Sequence, residues 1–273
     1  NMIFWIKKDN SAATIRVEDK SWNHKIYVAS DMFLLKSLIE NNEILSMIKE
    51  YHFPSRYKLI TDIKRSQVLE LELKDSTYSL KLAKKIERMG KFGQFRLYNV
   101  DILPEQSYFY EHNIFPLMEC KVHVSNSKLK WMCNEDNVWS TEYELPLFNN
   151  VNLKVFPKVN EGKIPRFTDS IASVTVQNCD TKDTIHIQGS EIDILYQLVK
   201  EIKKINPDFI LTEDGDSFTF PYLKYRSEIN QVDLILDREG IPLRGSKKDG
   251  TSYFAYGRIY FKPSAAKLFG RIH

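Results

Sequence analysis

The stretch NPDFILTEDGDSFTFPYL, from Asn206 to Leu223, constrains the chain more than any other. A short apolar run, Phe209 to Leu211, follows the Pro207-Asp208 punctuation and opens into an acidic, glycine-containing loop. A second, aromatic-rich run then begins at Phe218. That order predicts a strand, a turn and a helix. Open α/β sheets place their chemistry in loops at the carboxyl ends of strands, so Asp214, Gly215, Asp216 and Ser217 stand where a site would be.

The sequence ahead of this stretch supplies a helix and strands to build such a sheet. Ile171 to Val176 reads as a core strand and Thr184 to Ile187 as its hairpin partner, with His186 a solvated strand residue. Ser190 with Asp193 three residues on forms a capping box, and the helix that follows is expected to bury Ile192, Leu195, Tyr196, Val199 and Ile202 before it stops at Pro207. The asparagine-rich FNNVN, Phe148 to Asn152, marks a boundary, so two domains are expected, residues 2–150 and 151–273. With 273 residues and 42% apolar content, each can bury a core of its own.

The N-terminal part alternates strands and helices in a different order. Met2 to Lys7, Thr14 to Val17 and Lys25 to Val28 are short strand-like runs bounded by Asn, Asp and Ser. From Asp31 the spacing of Phe33, Leu34, Leu38, Ile39, Leu45 and Ile48 predicts helical segments broken near Asn41-Asn42. VLELEL, Val68 to Leu73, reads as a half-buried strand. Asp75-Ser76 then caps a helix with Leu80, Leu82, Ala83 and Ile86 inside, ended by Gly90 and Gly93 and followed by a strand at Phe95 to Tyr98. This is the pattern of a compact α+β unit.

Three cysteines, Cys120, Cys133 and Cys179, are far apart and lack a histidine cluster of zinc-ligand spacing, which points to a reduced, cytoplasmic protein without a structural metal. No apolar run reaches the roughly 18 residues of a membrane span, so no membrane partner is expected. The net charge of +3 is unevenly spread: Arg238 to His273 is strongly basic and the rest is net acidic. In that tail Arg244, Lys247, Lys248, Arg258 and Lys262 interleave with Tyr253 and Tyr256, a pattern suited to phosphate contact and base stacking. A hairpin with one solvated face fits the same residues.

The Asn206 to Leu223 stretch resembles the second exonuclease motif of the family B DNA polymerases, a "PDxIxGYNGDNFDFPYL" pattern. Pro207, Asp208, Ile210, Gly215, Asp216, Phe218, Phe220, Pro221, Tyr222 and Leu223 match it as they stand. Tyr98, Asp101, Ile102, Tyr108, Phe109, Ile114 and Pro116 are similar to the stretch that ends the family's N-terminal domain, with Ser107 at a usual arginine. LKVFPKVNE, Leu153 to Glu161, is similar to the strand carrying the family's first two carboxylates. An ungapped match sets Val159 at the aspartate and Glu161 at the glutamate, and a shifted one sets Pro157 and Val159 there. The terminal GRIH resembles the approach to a third exonuclease motif, before which the chain is expected to be truncated.

The resemblance implies a fold of mixed α/β and α+β class: an N-terminal α+β domain followed by a ribonuclease-H-like 3′–5′ exonuclease domain. It also implies a two-metal site, yet the second motif's aspartate position holds Thr219 and the first aspartate is missing in either match. In this respect the chain resembles a catalytically inactivated archaeal branch of the family. The expectation is an exonuclease-inactive module that serves as a DNA-binding scaffold in replication or repair. Val159, Glu161 and Thr219 are its vestigial positions, with Asp214 and Asp216 nearby. Its expected partners are single-stranded or primer-template DNA and the remaining polymerase domains or other replication proteins, and no metal or cofactor is expected. Two alternatives stay open: an active nuclease using Mg²⁺ or Mn²⁺ on a site rebuilt from Glu161, Asp169, Asp214 and Asp216, and a structural or interaction module that does not bind DNA.

Overall fold

The computed structural model describes residues 2–8, 11, 13–137, 139, 141–160, 162–243, 250–263 and 266–273. Within 250–263, residues 250, 251, 253, 255 and 261–263 are described by their backbone alone. The chain forms two compact units, Asn1–Ile6 with Ile15–Leu145 and Lys7–Thr14 with Pro146–His273. Among the described residues no helix is long and apolar enough to cross a membrane.

The first unit holds two four-stranded sheets. One contains β1 (Met2–Lys7), β2 (Thr14–Asp19) and two later strands. The chain then runs through β3 (Lys25–Ala29), α1 (Met32–Ile39), α2 (Asn42–Met47) and β4 (Ile48–His52), and through the two-residue strands β5 (Ser55–Arg56) and β6 (Ser66–Gln67). β7 (Leu69–Leu73), α3 (Ser79–Arg88) and β8 (Arg96–Tyr98) follow. The sheet order β4-β7-β3-β8 with two helical crossovers is the split βαβ arrangement of ferredoxin-like folds. Asn41 breaks the first crossover where the sequence suggested, its Oδ1 accepting the Glu43 and Ile44 N–H groups at 2.9 and 3.3 Å.

Several expected core residues face water instead. Phe33 is 82% and Leu80 61% exposed, and Leu45 is also exposed, while Leu35, Leu38, Ile44, Met47, Leu82 and Ile86 are buried against the sheet. Phe33 and Leu80 each lie two residues from a buried leucine, about 200° away around a helix, so apolar character alone did not identify the inward rib. Ile48, grouped with the helical residues by spacing, opens β4.

VLELEL is not half-buried either. β7 lies between β3 and β4, and both of its faces are covered. Glu72 is accommodated there by Lys49 Nζ and Asn23 Nδ2, each 2.8 Å away. Glu70 lies opposite Tyr27, whose hydroxyl is pushed up to about 12 by burial and by that carboxylate.

The unit is completed by α4 (Pro104–His112), β9 (Cys120–Ser125) and β10 (Lys128–Asn134), the last two joining β1 and β2 in the order β1-β2-β10-β9. Tyr108 of α4 is buried among Met2, Trp22 and Ile114, and its hydroxyl donates to Asp19 Oδ2 at 2.8 Å.

In the second unit β11 (Asn150–Pro157), β12 (Ile171–Asn178), β13 (Thr184–Gln188) and β14 (Phe209–Leu211) form a mixed sheet ordered β13-β12-β11-β14. β11 and β12 are antiparallel, as are β12 and β13, whereas β14 runs parallel to β11 with Val151 opposite Ile210. α5 (Glu191–Ile205) supplies the crossover that a parallel pair requires. Its Ser190 cap accepts the Asp193 N–H at 3.2 Å, and Asn206 ends it at φ 49°. The buried rib is Ile194, Leu195, Leu198 and Ile202. Ile192 and Tyr196, expected inside, are exposed because the sheet meets the neighbouring rib.

α6 (Phe220–Ile229) packs Phe220, Tyr222 and Leu223 into the same core. β15 (Gly250–Ala255) and β16 (Arg258–Pro263) form an antiparallel hairpin.

Candidate functional site

The candidate site lies where β14 ends. Asp214 adopts φ 52°, and its carbonyl accepts both the Phe218 and Thr219 N–H groups at 2.8 and 3.0 Å, making residues Gly215–Thr219 one π-helical turn ahead of α6. Single π turns of this kind are frequent at functional sites. Gly215 is required there, since a Cβ would lie 2.2 Å from Thr212 Oγ1.

Each described side chain in this loop has a partner or an orientation of its own. Thr219 is buried, and its hydroxyl donates to the Glu213 carbonyl at 3.0 Å. Glu213 Oε1 accepts from Lys154 Nζ of β11 at 2.8 Å, and this lysine holds the carboxyl below its usual range. Asp216 Oδ1 accepts the Ala266 N–H at 3.0 Å and lies 3.5 Å from His273 Nε2. The same His273 nitrogen is 2.7 Å from the Ala266 carbonyl, which requires it to be the protonated one, and the ring meets Phe220 edge-on at 4.6 Å. Asp214 is exposed.

Val159 follows the end of β11, exposed, with its N–H on the Pro157 carbonyl at 3.1 Å. Asp169 closes its own turn, its Oδ2 accepting the Arg166 N–H at 2.8 Å. Glu161 lies outside the described residues. Among the described residues no three His, Cys, Asp or Glu side chains are grouped so as to hold a metal ion.

Sequence reasoning missed what fixes this loop from behind. Asp208, just before β14, is buried with Arg238, whose Nη2 donates to its Oδ1 at 2.8 Å, while Lys7 Nζ and the Asn149 N–H reach Oδ2 at 2.7 and 2.8 Å. Burial opposes ionisation of Asp208, but the Asn149, Lys7 and Arg238 donors hold the carboxyl below its usual range. Arg238 also donates to the Asn206, Pro207 and Gly270 carbonyls, and Arg271 to those of Pro207 and Leu236. Burial and the adjacent Arg238 bring the Arg271 guanidinium down to about 10. The only signal in the sequence was two arginines in the basic tail, with nothing to show that they turn inward.

A second charged lock joins α6 to the first turn of α5. Arg226 Nε and Nη2 donate to Glu191 Oε1 and Oε2 at 2.7 and 2.6 Å, and Asn230 and the Ile171 N–H complete the carboxylate's shell. These contacts tie α6, which follows the loop, to α5 and β12.

Of the expected DNA-contacting residues, Arg244, Lys247 and Lys248 lie outside the described residues. Tyr253 and Lys262 are in the β15–β16 hairpin, opposite Tyr260 and Thr251 in its register. Its turn has φ 49° at Tyr256 and 75° at Gly257, the type I′ geometry that matches strand twist. Tyr256 is fully exposed at the tip, beside exposed Arg258, Phe254 and Ile259.

The family described as DNA polymerase family B, exonuclease domain, matches residues 154–252. A DNA polymerase of Methanocaldococcus jannaschii is 24% identical over 262 residues, covering 89% of this chain and 15% of that protein. A DNA polymerase of Pyrococcus horikoshii is 35% identical over 78 residues, 28% of this chain and 6% of that protein. The structure of the family B DNA polymerase from the hyperthermophilic archaeon Pyrobaculum calidifontis superposes with a TM-score of 0.71 at 16% identity, over 96% of this chain and 33% of that one. The chain thus spans a small part of the curated relatives it matches. The sheet order, the strand-loop-helix unit and these likenesses together make residues 154–252 similar to the exonuclease domain of DNA polymerase family B, on a fold shared with an archaeal polymerase of that family.

Proposed function

We propose that the exonuclease-type domain binds nucleic acid without cleaving it, acting as a scaffold for single-stranded or primer-template DNA in the cytoplasm beside other polymerase domains or replication proteins. One observation carries the reading: the Thr219 hydroxyl, at the position matching the second motif's aspartate, is buried and donates to the Glu213 carbonyl. Two-metal hydrolysis of a phosphodiester needs anionic oxygens to hold hard divalent cations. Thr219 supplies no anion, and Val159 supplies no oxygen ligand on its side chain.

The neighbouring acids fit a metal pair poorly. Glu213 is paired with Lys154, Asp216 with the Ala266 N–H, and Asp169 with its own turn. Among the described residues the donor set therefore does not suit Mg²⁺ or Mn²⁺, and no hydrolytic step follows from it. The basic, aromatic hairpin offers a DNA contact that needs no metal.

The test is incubation of the chain with end-labelled single-stranded DNA and Mn²⁺. The expected result is an intact strand. Metal-dependent shortening that disappears in Glu161→Ala would overturn the proposal and favour a rebuilt carboxylate site.

A further inference from the structure

The sheet β1-β2-β10-β9 buries one face against α4 and leaves the other open. On β9 the exposed residues are Lys121, His123 and Ser125, alternating with half-buried Cys120, Val122 and Val124. On β10 the register shifts between Leu129 and Trp131, so that Trp131 sits directly opposite His123 and Lys130 becomes the extra residue of a bulge. The indole and imidazole lie nearly parallel, 18° apart with centroids at 6.2 Å, and Trp131 keeps 51% exposure. A flat aromatic pair standing on an open strand face is unusual for an indole, which normally gains by burial.

The charge around this pair is mostly of one sign. Lys128 and Lys130 precede Trp131 on β10, and Lys128 stands opposite Glu18 of β2. Glu18 is offset by Arg16 and Lys20 at 3.7 and 3.5 Å, and Glu135 by Lys121 at 2.6 Å. Among the described residues Lys128 and Lys130 are therefore the surplus cations beside an exposed ring system.

We infer that this face of the first unit binds single-stranded nucleic acid, with a base stacked on Trp131 and the flanking phosphates held by Lys128 and Lys130. A polyanion answers the surplus charge, and only an unpaired strand presents the π-faces of its bases to an aromatic platform. A lipid surface would require protruding aliphatic groups, whereas the positions beside Trp131 are His123, Ser125 and lysines. An acidic peptide would use the cations but gain nothing from the indole. This surface is on different elements from the β15–β16 hairpin, so it stands or falls separately from the function proposed above.

The experiment uses the full chain and fluorescently labelled oligothymidine and oligouridine of about twelve nucleotides, within the footprint of single-strand binders, with an abasic strand of equal length. Trp131→Ala should weaken oligothymidine binding roughly 5- to 150-fold with its salt dependence unchanged. Lys128→Ala with Lys130→Ala should instead reduce the slope of log affinity against log salt by about 1.4, close to 0.7 for each phosphate no longer neutralised. The abasic strand should bind the unmodified chain as weakly as oligothymidine binds Trp131→Ala. All three positions are exposed, and unchanged thermal melting shows that the variants fold.

Unaltered affinity and slope in both variants would overturn the inference. If Tyr256→Ala and Arg258→Ala alone then weakened binding, the hairpin would be the whole interface. Equal binding of the abasic strand, or equal competition by polyglutamate, would overturn it as well. No binding of either oligonucleotide at low salt would overturn both readings.

Discussion

Arg226 lies across Glu191 with two parallel donors, Nε and Nη2, on the two carboxylate oxygens at 2.7 and 2.6 Å, and both side chains are about nine-tenths buried. Glu191→Ala leaves the guanidinium buried without its counter-charge. Breaking a buried pair typically costs about 3–5 kcal/mol, and the residual solvent contact of this pair favours the lower end. Denaturant titration of the variant measures the loss.

The same pair predicts an acid limb. Burial opposes the Glu191 charge, but Arg226, the Ile171 N–H and Asn230 together hold its carboxyl below the usual range. A carboxylate lowered in the folded state contributes stability that is complete above its unfolded value, near 4.5, and lost as pH falls through the folded value. Denaturation midpoints of the unmodified chain should fall below about pH 4.5, and the fall should be smaller in Glu191→Gln.

His24 predicts a limb at milder pH. It is buried, neither ring nitrogen makes a well-aligned hydrogen bond, and the Asn99 backbone with the Glu111 and Glu105 carboxylates offsets the cost of burial only in part. Burial lowers its pKa, so the unfolded state binds the proton more readily once pH drops below about 6.5, and stability declines from there. His24→Leu should remove that decline. Melting curves at pH 8 and pH 5.5 compare the two, and an equal decline in both chains would exclude His24 as its source.

Introducing one acid at Thr219 should not confer nuclease activity. Thr219→Asp exchanges a hydroxyl that donates to the Glu213 carbonyl for a carboxylate that can only repel it. The expected outcome is a loss of about 1–3 kcal/mol, the cost of an unsatisfied buried polar group, with no gain of metal-dependent cleavage. A stability measurement paired with the Mn²⁺ assay reads both.

The hairpin tip separates charge from stacking. Arg258→Ala together with Lys247→Ala and Lys248→Ala should flatten the salt dependence of single-strand binding by about 0.7 for each phosphate left without its cation. Tyr256→Ala should lower affinity and leave the slope alone. Titrations at several salt concentrations distinguish these outcomes.

What the sequence revealed was local. The Asn41 and Ser190 caps, the break at Pro207 and the β14-loop-α6 order depend on residues within one or two turns of each other. What it concealed was decided at a distance. Ile192 and Phe33 belong to helices with apolar groups on adjoining ribs, and only the sheet selects the rib. The locks Lys154–Glu213 and Arg238–Asp208 join residues 59 and 30 positions apart, and such pairs carry no periodic signature. At the candidate site the motif resemblance singled out Thr219, whereas its hydrogen bond to a carbonyl six residues back left no trace in the sequence.

β14 has only three residues, and its second edge is occupied by Ile272, which receives the Ile210 N–H and donates to the Asp208 carbonyl, both at 2.9 Å. During synthesis this strand therefore emerges long before the segment that flanks it. At about 5–20 residues per second, the roughly 60 intervening residues impose a wait of about 3–12 s. Throughout that interval the edge of β14 is an unfilled template for any extended segment nearby. A nascent chain paused within this window offers a strand-pairing site that the finished protein conceals.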